Sequence, residues 1–446
     1  MPISTWIKNL IHWLKSKFIT IEHDHTDFGH SGEDVPHVFP LPSGNEFNQP
    51  EKGAVTTTNT NTNTIPLGNS VDLSRTFFLH SNPTATKTIF LDFDGHTTTN
   101  TIWNNQSGKD AITTPAFNSD SKPKVLSNAE LERIQYIWQR VAEDFAPFGI
   151  NVTTQDLGTD ALDNTGGSDN KWGMRVAIGG GNKDWYGSAA GGVAFVNTFG
   201  NAAFGPAFVF SQSLSNNEKY TAEAISHEVG HTLGLLHDGT YNSPYYKGQG
   251  TGVTEWAPIM GVGYYKNVTQ WSQGEYKDAN NTQDDLAKIS SSTNGAGYRA
   301  DDFGNSAASA NVLTGTTLNQ FGIITTRTDS DWFKFTTGAT GVTNLSITTA
   351  LQAWVKGADG SFTSIILPGR SPNLDIAATL YDANGTGAGI STSNPTNLLT
   401  ASFNLTLTAN TTYILKVDGV GFGDPLTTGY SDYGSLGGYL VTGTLA

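Results

Sequence analysis

Apolar and polar positions alternate in short runs along much of the chain. In "TIFLDFD" (Thr88 to Asp94) the residues Ile89, Leu91 and Phe93 share one face, the period-two pattern of a strand. "INVTT" from Ile150, "GMRVAIGG" from Gly173, "GGVAFVN" from Gly191 and "AFVF" from Ala207 predict four more strands, separated by turns rich in glycine, asparagine and aspartate. Between the first two strands the period changes. "SNAELERIQYIWQRVAEDF" carries Leu131, Ile134, Ile137, Val141 and Phe145 at helical spacing, and Ser127 with Glu130 reads as a capping box. A second capping box, Ser215 with Glu218, predicts a helix that runs into "ISHEVGHTLGLLHDG" (Ile225 to Gly239). The expected order is strand, helix, four strands, helix.

From about Tyr298 the texture shifts. Glu275 is the last glutamate, and runs such as "DWFKFTT", "NLSITT", "AATLYDA", "ASFNLTLT" and "TYILKVDG" recur between turns. Alternation without strong helix formers predicts a β-sandwich. The first 74 residues fit neither pattern: an amphipathic opening "WIKNLIHWLKSKFITI", a histidine-rich patch, a proline-rich run and the linker-like "TTTNTNTNT". Three parts are therefore expected: a leader or prosegment over 1–74, an α+β domain over 75–297 and an all-β domain over 298–446.

Composition narrows the function. A net charge of −15 argues against a nucleic-acid partner, which needs a basic face. No apolar run approaches the ~18 residues of a transmembrane helix. Lysines interrupt the opening segment, so it reads as a helix that docks on the protein or a membrane surface rather than as an export signal. The chain has no cysteine, which removes disulfides, thiolate ligands and a thiol nucleophile together.

The chemistry gathers in the last predicted helix of the α+β domain. His227 and His231 are four residues apart, so they project from one face one turn apart. Gly234 suits a left-handed helix end, after which the chain can return His237 as a third imidazole. Three neutral imidazoles suit one Zn2+ and leave a fourth position for water, the arrangement of a catalytic site. Zinc lowers the pKa of that water toward ~7, and Glu228 is placed to take its proton and pass it to a leaving amine. A bare H-E-x-x-H arises by chance; the extended spacing is far more restrictive.

At these residues the sequence resembles the metzincin metallopeptidases, whose motif reads H-E-x-x-H-x-x-G-x-x-H, and Asp238 after the third histidine resembles the reprolysin (adamalysin-like) branch. The resemblance implies a five-stranded mixed sheet with an active-site helix. It also implies a Met-turn in "APIMGVGYY", with Met260 as an apolar floor beneath the ligands. Val262 stands where other branches carry a tyrosine, so Tyr264 and Tyr265 are assigned no role. Metzincins place an antiparallel edge strand ahead of the zinc helix. Here that strand is Gly192, Val193, Ala194, Phe195 and Val196, with free backbone groups to pair an extended peptide.

After Tyr298, "DDFGNSAASA", "DSDWFKF" and "YSDYGSLGGYLVTGTL" resemble the bacterial pre-peptidase C-terminal (PPC) domain, which accompanies secreted peptidases. Asp329 and Asp331 are candidates for a Ca2+ site, though solvated turn carboxylates are the simpler reading. His23, His25, His30 and His37 suggest a second metal site, against which stands the plainer reading of a disordered tail. The function expected is a secreted zinc endopeptidase acting on protein substrates. The alternatives are a catalytically silent binding or adhesion protein on the same fold and an intracellular zinc hydrolase.

Overall fold

The computed structural model describes residues 35–42, 71–120, 125–371 and 373–446. The amphipathic opening, His23, His25, His30 and the threonine–asparagine tract lie outside the described residues. Among those described, the strands ahead of the motif helix are β1 (Pro36–Phe39), β2 (Leu79–His80), β3 (Lys87–Asp92), β4 (His96–Thr98), β5 (Ile112–Thr114), β6 (Ile150–Thr153), β7 (Trp172–Ile178), β8 (Gly192–Phe195) and β9 (Ala207–Val209).

The five strands expected from alternation form one mixed sheet in the order β8-β9-β7-β3-β6. β6, β3, β7 and β9 run parallel, and β8 turns back antiparallel to β9. Period-two alternation sorts their side chains. Ile89, Leu91, Val152, Val176, Ala194 and Val209 join the core formed with the helices Asn128–Asp144 and Glu218–Thr232. Ala177, Val193, Phe195 and Phe208 face the other way, onto Trp103 and Ile112. Both faces are thus covered, as a largely parallel sheet requires.

The sheet is larger than the five strands predicted. β1 pairs with the outer edge of β8, and beyond β6 comes β2, which pairs with the 16-residue strand Gly341–Lys356 through Trp354↔His80 and Val355↔Leu79. That long strand also pairs with Gly437–Thr444 and Ala401–Leu407, so one twelve-stranded sheet runs from the motif region into the C-terminal part. A second, five-stranded sheet contains Ser330–Thr336, Thr412–Gly419 and Ile376–Tyr381. Phe333, Phe335, Leu415 and Val417 from this sheet share a core with Leu345, Ile347, Tyr439 and Val441 from the first.

Residues 35–446 form one compact unit. Where the two parts meet, several buried polar groups near the motif helix pair with one another. Arg140 and Glu223 form an ion pair of 2.6 Å between the two long helices, each side chain 4% exposed. Ser226, immediately before His227, donates to Asp144 Oδ2, while Asn373 donates to Asp144 Oδ1 at 2.8 Å and to the Thr269 carbonyl at 2.7 Å. Glu143 accepts the backbone N–H groups of Arg370 and Ser371. Burial pushes the carboxyls of Glu143 and Asp144 up to about 7, which makes their hydrogen-bond partners energetically important. Asn373→Ala should therefore lower the melting temperature by several degrees, the scale of ~1–3 kcal/mol for a stripped buried acceptor, with metal content unchanged. Thermal melts paired with metal analysis check this. An unaltered melt would mean that the junction adds nothing to stability.

Candidate metal centre

The motif helix begins at Asn217, whose side chain accepts the Tyr220 N–H at 2.9 Å. The capping box expected at Ser215 is not the start. Ser215 and Asn216 both sit at positive φ, turning the chain two residues before the helix, and Glu218 becomes its first residue. At the other end Gly234 adopts φ +96°, as the motif predicts. Its N–H returns to the His231 carbonyl at 2.8 Å, and the Leu235 N–H returns to Gly230 at 3.0 Å. This close-out brings His237 back beside the helix.

His231 Nε2 lies 3.1 Å from His227 Nε2 and 3.0 Å from His237 Nε2. The opposite ring nitrogens are engaged: His227 Nδ1 lies 2.9 Å from the Ile259 carbonyl and His231 Nδ1 lies 2.8 Å from the Leu235 carbonyl. A carbonyl accepts, so each Nδ1 carries the proton and each Nε2 is a bare lone pair. No proton remains to sit between His227 and His231. Burial, then the neighbouring imidazoles, hold all three histidines well below the ordinary histidine range, so protonation does not relieve the contact. Converging lone pairs in a buried position fit a cation, and nitrogens around a zinc at ~2.0–2.1 Å stand about 3.3 Å apart. The Ile259 carbonyl fixes a ring orientation as metal-bound histidines require. The next residue, Met260, is fully buried, and its carbonyl accepts the Asp238 N–H at 2.9 Å.

Glu228 is fully buried one step round the helix. Burial raises its carboxyl well above the ordinary range; the Phe39 N–H, donating to Oε1 at 3.0 Å, pulls the other way. Strand β8 passes directly over it: a Cβ on Gly192 would lie 2.7 Å from Glu228 Cγ, so only glycine lets the strand come this close. Gly192, Val193, Ala194 and Phe195 form a strand where one was predicted, whereas Val196 lies in the turn that follows. The outer edge of β8 was expected to be free. It is occupied by β1, in the register Pro36↔Phe195 to Phe39↔Gly192.

Several residues of the site were missed in the sequence or read there without a link to the motif. The Tyr245 hydroxyl donates to the Val38 carbonyl, and its ring stands 4.4 Å from that of His237. Burial, then Glu228, hold this hydroxyl above its ordinary range, so it remains a donor. Tyr264, assigned no role from sequence, donates to the Pro40 carbonyl at 2.7 Å. His37 lies with its ring centroid 4.7 Å from His231 and 5.0 Å from His237, in place of the disordered tail expected for that patch. The alternation in "PHVF" spans too few residues to announce a strand, and no spacing rule connects Tyr245 to the motif. In the C-terminal part, Asp329 and Asp331 are both buried rather than solvated, and Asp329 closes a turn by accepting the Thr325 N–H and hydroxyl. Asp331 accepts from the Tyr439 hydroxyl and gathers with Asp301 and Asp302, ligand atoms lying within 4.8 Å of one another.

Residues 145–291 match the family model Reprolysin_4, described as metallo-peptidase family M12B, reprolysin-like. The resemblance read from the motif therefore holds over this segment, which contains His227, Glu228, His231, His237 and Met260. No curated protein matches the chain. Among solved structures it is similar to the pre-peptidase C-terminal domain of a collagenase from Bacillus anthracis, at 12% identity over 30% of this chain and 94% of that one, with a TM-score of 0.20. It is also similar to PliG, a periplasmic inhibitor of g-type lysozyme from Aeromonas hydrophila, at 8% identity over 31% and 96%, with a TM-score of 0.19. Overlays this loose carry no functional comparison.

The centre makes a direct prediction about binding. His231→Ala removes the nitrogen that faces both others and should lose the metal, whereas Glu228→Ala should retain one ion per chain. Metal analysis of purified chains distinguishes them; retention by His231→Ala would place the ion elsewhere.

Proposed function

We propose that the chain is a zinc-dependent endopeptidase, with His227, His231 and His237 holding the ion and Glu228 as the general base. The observation that carries this reading is the convergence of three Nε2 atoms beside a buried carboxylate, in a segment that matches reprolysin-like metallopeptidases. Zinc, when bound there, supplies Lewis acidity that acidifies water and polarises a carbonyl.

The protein's own groups do the rest. A peptide paired antiparallel on β8, as residues 36–39 are, turns a backbone N–H toward Glu228 Oε1 and the preceding carbonyl toward the Tyr245 hydroxyl. Glu228 is thus the proton carrier: it accepts a proton from water and delivers it to the nitrogen that leaves. Tyr245 donates to the oxygen on which negative charge grows as the bond breaks. β8 aligns the substrate through its main chain, which suits extended segments of protein substrates with little demand on sequence. Among the described residues no helix is long and apolar enough to cross a membrane. The reprolysin-like resemblance favours a secreted enzyme.

Glu228→Ala should reduce casein hydrolysis at least ~10²-fold with the metal retained. Tyr245→Phe should lower kcat by ~10-fold or more, as expected for a lost donor to a developing charge, with KM little changed. These assays use chains freed of residues 1–70 by cleavage. Unchanged hydrolysis by Glu228→Ala would remove the mechanism; a metal-loaded wild type inert toward varied peptides would favour a binding protein.

A further inference from the structure

Strand β1 occupies the position just assigned to substrate. Its antiparallel register on β8 sends His37 and Phe39 toward the motif helix, while Val38 packs on the opposite side with the Trp103 cluster. Phe39 is fully buried, with its ring 4.4 Å from His227 and 4.9 Å from Tyr264. The main chain is held at successive groups: the Val38 carbonyl by Tyr245, the Phe39 N–H by Glu228, the Phe39 carbonyl by the Gly191 N–H at 2.7 Å and the Pro40 carbonyl by Tyr264. The Val38–Phe39 peptide thus meets the two side chains proposed to act on a scissile bond. A ring nitrogen of His37 also lies within 4.8 Å of ligand nitrogens of His231 and His237.

We infer that residues 36–40 are an intramolecular pseudosubstrate that keeps the enzyme latent, with His37 as a fourth, displaceable nitrogen ligand to the metal. The inference rests on the peptidase reading. Chemically, His37 brings the same imidazole donor as the other three ligands, and zinc accepts four. An imidazole in the fourth position excludes the water that hydrolysis needs, while the Phe39 amide engages the carboxylate that would activate it. The chain therefore does not cut its own Val38–Phe39 bond in this arrangement. No thiolate is available for the task, because the protein lacks cysteine. Residues 43–70 tether β1 to the rest of the chain, which gives the segment a high effective concentration at the cleft. Cutting that connection makes its binding bimolecular, so dilution releases it.

The test uses the full chain loaded with Co2+ as a spectroscopic stand-in for zinc. Wild type and His37→Ala should each bind one ion but differ in the visible d–d spectrum, since a nitrogen is exchanged for water. His37→Gln should resemble His37→Ala. With zinc, both variants should hydrolyse casein on the order of tenfold faster than the intact wild type, and cleavage at a protease site placed across residues 59–64 should activate wild type similarly. Identical spectra overturn the inference, and so does an intact wild type as active as the cut chain. A variant whose spectrum shifts but which hydrolyses nothing supports His37 ligation and counts against the peptidase reading alone.

Discussion

Two hydrogen bonds from imidazole to backbone carry much of the design. With the Nδ1 protons of His227 and His231 committed to the Ile259 and Leu235 carbonyls, the Nε2 atoms face each other as lone pairs at 3.1 Å. Such a contact is unfavourable in a buried place unless positive charge sits between the nitrogens. The helix supplies the spacing, the left-handed turn at Gly234 returns the third histidine, and the segment around Met260 supplies one of the orienting carbonyls. A metal held there would couple to the tautomers and to the local fold, so that disturbing one would disturb the others.

The motif helix also packs against buried polar groups. The motif helix is held from behind by Arg140 on Glu223 and by Asp144 on Ser226, and Asp144 is in turn held by Asn373 from the C-terminal part. Unpaired, these groups would be costly; paired, they fix the helix that carries the histidines. In front, β8 passes close enough to Glu228 that Gly192 has no room for a side chain. Strand β8 and the carboxylate are therefore held in one rigid relation.

Much of this was legible in the sequence. Strand β3, the helix Asn128–Asp144, strands β6 to β9 and the motif helix follow the predicted order, because each carries enough residues for its period to show. Ser127 and Glu130 cap as read, since a capping box is a local interaction. What could not be read were contacts between residues far apart in the chain. β2 has two residues and no period of its own, yet it connects the mixed sheet to the strand Gly341–Lys356. His37 and Tyr245 meet the motif only through folding. Ser215 looked like a cap because its spacing to Glu218 was right, but the positive φ of both Ser215 and Asn216 moves the helix start to Asn217.

If the three Nε2 atoms hold an ion, one metal sits where they converge. Anomalous diffraction at the zinc edge, on crystals of the full chain grown with zinc, locates that ion. A single strong peak is expected about 2.0–2.1 Å from Nε2 of His227, His231 and His237. A peak at the Asp301, Asp302 and Asp331 cluster with none at the histidines would contradict it.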